Sequence, residues 1–136
     1  MDRSAGDALR GAPWDHAVVR FDQFTVALLI TNPDGPVLTE EQENTLQEAH
    51  MAHLADLHDA GHLIAAGPLI DAPDRHHRGL SILSVDVATA LELTGRDPAV
   101  RAGKFLVKVM PWMVPGGAIV AGDARFPRTI AEATGD

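Results

Sequence analysis

Short apolar runs with a two-residue period alternate along this chain with stretches of helical period, and the order of the two leaves few folds open. Phe24 to Thr31 (FTVALLIT) is rich in strand formers and is closed by the turn residues Asn32-Pro33-Asp34-Gly35-Pro36. This reads as a first, central strand. Thr39 then offers an N-cap, Gln42 completes a capping box three residues on, and Glu40 and Glu41 suit the positive end of a helix dipole. The helix runs through Leu46, Leu54 and Leu57 to Gly61, which fits the left-handed position just past a helix end.

Leu63 to Gly67 reads as a second strand, and Asp71 to Arg78 as a polar hairpin loop whose His76-His77-Arg78 run is a solvated tip or else covers a pocket mouth or meets an anionic substrate group. In Gly79 to Val85, a third strand, Leu80 and Ile82 face one way and Ser81 and Leu83 the other. Asp86 caps a second helix that Gly95 ends, and Asp97-Pro98 opens a further helical turn with proline at its first position. Lys104 to Met110 alternates as a fourth strand, stopped by Pro111-Trp112.

The order β-α-β-β-α-β predicts an α+β, ferredoxin-like domain, a four-stranded antiparallel sheet with helices on one face. The other sheet face needs a cover, and in so short a chain that is a second copy, so a homodimer or higher homo-oligomer is expected. The expected division is an N-terminal extension over 1–23, the domain over 24–114 and a tail over 115–136. In that tail only Ala118-Ile119-Val120 is fit to add an edge strand or cross to a partner.

Composition narrows the function. The 136 residues suit one domain, and 46% hydrophobic against 22% charged residues suits a packed globular protein. A net charge of -8 opposes binding to a phosphate backbone, so no nucleic-acid partner is expected. With no cysteine, disulfides, thiolate nucleophiles and cysteine-based metal sites are excluded. Met1 to His16 lacks a signal-peptide core and no apolar run approaches the roughly 20 residues that span a bilayer, so no membrane is expected and the cytoplasm is the expected location.

Histidines on the first helix carry what chemistry the pattern suggests. At about 100° per residue, His50 and His53 fall within the arc of Leu46, Leu54 and Leu57 and point inward, while His58 and His62 are easier to leave in solvent. An inward imidazole is either a half-buried packing group or, beside a cavity, an acid-base group at neutral pH. His53-Leu54, Gly61, Ala66-Gly67-Pro68-Leu69, Asp97-Pro98 and Gly103 together resemble the YCII family pattern, from about Phe24 to Val114. That resemblance implies a dimeric α+β barrel with a histidine and an aspartate working as a pair, roles that map to His53 and Asp97, and some relatives catalyse eliminations such as dehydrochlorination of a chlorinated hydroxyquinol. Relatives often carry arginine where this chain has His50.

The expected function is therefore a cofactor-independent enzyme of lyase or isomerase type, performing elimination, isomerisation or cyclisation on a small cyclic or carbonyl-containing metabolite. Asp97 would orient His53, with His50, Gly67, Pro68, Asp71 and Trp112 about the substrate. Plainer roles stand beside these: Asp97 as a helix cap, Gly67 as a bend, Asp71 as a turn cap, Trp112 as core or dimer packing. The rival readings are a non-catalytic dimeric module that binds a small molecule, and a metal site built on His50 and His53 with His76 and His77.

Overall fold

The computed structural model describes residues 19–70 and 75–135. Most of the N-terminal extension, and Asp71, lie outside these residues. The elements are β1 (Phe21–Thr31), α1 (Glu40–Asp59), β2 (Leu63–Pro68), β3 (His77–Leu83), α2 (Val87–Gly95), α3 (Pro98–Arg101), β4 (Phe105–Pro115) and α4 (Ile130–Thr134). All strand pairs are antiparallel, in the order β2-β3-β1-β4, which is the ferredoxin-like α+β sheet with β1 inside.

Local chemistry sets the helix starts. Thr39 accepts from the Gln42 N–H at 3.1 Å while the Gln42 side chain accepts from the Thr39 N–H at 2.9 Å, closing the capping box. Asp86 caps α2 by accepting from the Thr89 N–H at 2.8 Å. That bond, with the Thr89 hydroxyl, holds the Asp86 carboxyl below its ordinary range. Past Ala60, the end cap of α1, the chain turns through Gly61 at φ 82°, a conformation cheap only for glycine.

On the covered face, Ala27 of β1, Leu63 of β2 and Leu83 of β3 meet Leu57 of α1 and Ala90 and Leu93 of α2 in one core. Residues of opposite parity form the other face: Val26 pairs with Ile82 and Met110, Leu28 with Leu80, Ile30 with Leu106 and Phe24 with Trp112. No helix of the described residues covers these side chains, and Leu106 and Trp112 are exposed by 49% and 42%.

Three stretches differ from the sequence reading. β1 starts at Phe21, inside the expected extension, because β4 extends to meet it as far as the Phe21–Pro115 pair. β4 does not stop at Pro111, which pairs with Thr25; β4 is an edge strand, where a missing N–H can face away from the sheet. In the tail, 118–120 form no strand, and a short helix, α4, forms instead with Thr129 as its cap. Among the described residues no helix is long and apolar enough to cross a membrane.

Candidate active site

Between α1 and the β2–β3 side of the sheet lies a cavity of about 370 Å³. His50, Met51 and Leu54 of α1 form one wall and Ala66, Gly67 and Pro68 of β2 another. Arg78 to Ser81 of β3, with Leu29 and Phe105, form the floor, and the tail closes it with Phe126, Pro127 and Ala133. Its size sits at the low end for small-molecule sites, and its mainly apolar lining around a few polar groups is their usual make-up.

His50 is the imidazole that meets the acid. Its Nδ1 lies 2.5 Å from Asp97 Oδ2, with the two residues only 8% and 3% exposed. The carboxylate can only accept, so Nδ1–H donates and Nε2 is the nitrogen left for other partners. Asp97 does not line the cavity and His50 does, so the ring stands between the buried acid and the open space. The other carboxylate oxygen accepts from the Ala99 N–H at 2.9 Å, capping α3. The Asp-Pro cap read from the sequence is thus real, and the same side chain also steadies an imidazole.

The sequence reading paired Asp97 with His53; the hydrogen bond runs to His50 instead. Both rings point inward from α1, but α3 brings Asp97 against the turn that carries His50, while α2 brings the Leu93 carbonyl to His53 Nε2 at 3.0 Å. His53 borders a void of about 10 Å³ beneath the helix, which Asp97 also lines and which has room for one water at most.

Of the other residues singled out, Gly67 and Pro68 line the cavity. Gly67 pairs with Leu80, so a side chain there would point to the opposite sheet face and its contribution is backbone. Trp112 pairs with Phe24 on that opposite face, away from the cavity. Among the described residues no three His, Cys, Asp or Glu side chains cluster as a metal site requires. His76 and His77 pack edge to face on each other, 4.8 Å apart.

One feature escaped the sequence reading. The tail is strapped across α1: Arg128 pairs with Asp56 at 2.8 Å and Asp59 at 2.6 Å, Glu48 accepts from the Ile130 N–H, and Phe126 stacks on His58 with ring centres 4.1 Å apart. The two aspartates raise the Arg128 pKa. His58, expected in solvent, is half-buried, with Nδ1 2.8 Å from the Leu63 carbonyl oxygen and Nε2 3.0 Å from that of Ala124. Arg78, read from the sequence as part of a hairpin run that is either solvated or set to meet an anionic group, lines the cavity, with its guanidinium carbon 5.5 Å from the centre of the Phe105 ring.

The model of the YCII-related domain matches residues 24–113. This chain belongs to the YCII-related family. Among solved structures, this YCII-related chain is similar to a 5-chloro-2-hydroxyhydroquinone dehydrochlorinase from Burkholderia phenoliruptrix, in complex with 2,5-dihydroxybenzoquinone. The two share 19% identity over 65% of this chain and 92% of that one, with a TM-score of 0.49. No curated protein matches it in sequence.

Proposed function

We propose that this YCII-related protein is a cofactor-independent acid-base enzyme acting on a small cyclic or carbonyl-containing metabolite, with His50 as the group that moves the proton. The observation that carries this reading is the buried Asp97 carboxylate 2.5 Å behind a histidine that lines a cavity. A carboxylate so placed fixes the tautomer, leaves Nε2 free to take a proton, and stabilises the imidazolium that results. The same ring then returns the proton elsewhere on the substrate, the common core of elimination, isomerisation and cyclisation. His53 acts in this reading as a tie between α1 and α2, through Leu93.

The open sheet face, with Val26, Leu28, Leu80, Ile82 and Met110 in neighbouring pairs, supports a homodimer built face to face. Such an interface leaves the cavity on the outer, helical side of each sheet.

Deuterium wash-in tests the proton-transfer step by itself, whatever the complete reaction. Small cyclic ketones and hydroxyquinones incubated with the protein in D2O should exchange a carbon-bound proton faster than in buffer. His50→Gln and Asp97→Asn should each lower that rate on the order of 10²-fold or more, while His53→Gln in folded protein retains most of it. Exchange that survives His50→Gln and disappears in His53→Gln would move the role back to residue 53.

A further inference from the structure

The cavity holds one permanent cation, Arg78, and among the described residues no carboxylate forms an ion pair with it. Arg78 is not where strand alternation would put it: Gly79, Ser81 and Leu83 are the buried, helix-side positions of β3, so residue 78 belongs on the far face. The pairing with β1 slips at this point, Leu29 opposing Gly79 and Ile30 opposing His77, which leaves Arg78 as the extra residue of a β-bulge. Bulges re-aim a side chain, and this one turns the guanidinium into the cavity over Phe105.

Its donors are largely unspent. Among the described residues, the sole hydrogen bond its guanidinium makes is to the Thr31 hydroxyl at 3.5 Å, and no carboxylate lies within ion-pair distance. The nearest acid to act on it, Glu43, is engaged by Lys104. Burial lowers the Arg78 pKa from its ordinary value, and the charge of Arg75 pushes the same way against Glu43. An arginine still keeps its proton under such pressure. Three residues on along the floor, Ser81 is 8% exposed, and its hydroxyl has no hydrogen-bond partner among the described residues. In a chain of net charge -8, a partly desolvated guanidinium with no acidic partner, lining the same cavity as a buried hydroxyl without an acceptor, is a site with donors to spare.

We propose that Arg78 is the anion-holding residue of the His50 cavity, and that the substrate is a small ring compound bearing a planar delocalised oxyanion, a carboxylate or an ionised enol. The proposal rests on the cavity reading above and names its substrate class. A planar oxyanion meets the guanidinium fork with two parallel hydrogen bonds, Ser81 donates a third, and the ring body lies against Phe105, Leu54 and Phe126. Anchoring the charged end at β3 presents the rest of the ring to His50 on α1.

Benzoate and benzamide, alike in shape and different in charge, are the probes. Titrated into the full chain at millimolar concentration and followed by the ring resonances of His50, benzoate should bind about tenfold more tightly than benzamide. In Arg78→Met that preference should vanish with benzamide affinity unchanged. In Arg78→Lys, which keeps the charge and guards against misfolding of the methionine variant, part of it should remain. Equal binding of the two probes to the unaltered protein, or a preference that survives Arg78→Met, would overturn the proposal while leaving the cavity a ligand site. Failure of both probes to perturb His50 would overturn the cavity reading with it.

Discussion

The wall of the cavity that carries His50 and the tail that closes it are fastened by opposite means. On the wall, Asp97 and His50 are buried together, and each satisfies a group the other would otherwise strand. The tail is held mainly at the surface, by an Arg128 side chain 43% exposed and by Asp56 and Asp59 side chains 69% and 68% exposed. Exposed ion pairs contribute little and are screened by salt, whereas a buried pair broken on one side leaves an uncompensated charge. The proposed proton-moving group therefore sits in buried, well-tied structure, and the part that closes the cavity sits on a segment that detaches cheaply. The tail also lies beyond residues 24–113, the part shared with the family.

Asp97→Ala should break the wall. It strips His50 of its acceptor and the Ala99 N–H of its cap, and the expected loss is about 3 kcal/mol of unfolding free energy by urea denaturation. A loss no larger than that of a surface substitution would mean that wall and tail are held alike. Phe126→Ala should act on the tail instead, lowering stability by about 1 kcal/mol through the lost His58 stack. It should weaken ligand binding while leaving proton transfer on bound ligand nearly intact, a change in KM rather than in kcat.

The smallest effect expected is one of salt on the tail alone. Arg128 holds the tail to Asp56 and Asp59 through exposed ion pairs, which added salt screens. Backbone relaxation by NMR over residues 124–128 should show motion increasing with salt concentration, with α1 and α3 unchanged.

What could be read from the sequence was what is decided locally. Thr39 with Gln42, Asp86 and Asp97-Pro98 each start a helix because the capping bonds reach only two or three residues along the chain. The alternation of Leu80, Ser81, Ile82 and Leu83 likewise shows which side chains of β3 share a face, while docking of the helices decides that the Ser81 and Leu83 side is the covered one. Contacts decided by distant elements were not legible. His50 and His53 share one helical face, and which of them meets Asp97 depends on where α3 docks, 47 residues away in the chain for the observed pair. The bulge at Arg78 comes from a pairing slip against β1, so period alone places that side chain on the wrong face. The tail carries little apolar pattern because surface ion pairs hold most of it.

Long-range ¹H–¹⁵N correlation of the histidine rings decides whether His50 is the imidazole that matters, since it reads which nitrogen carries the proton and which ring meets a ligand. Neutral His50 should be protonated at Nδ1, with a strongly hydrogen-bonded proton that vanishes in Asp97→Ala. His50, and not His53, should respond when benzoate is added. A His50 ring protonated at Nε2 alone, or a ligand response confined to His53, would contradict that role for His50.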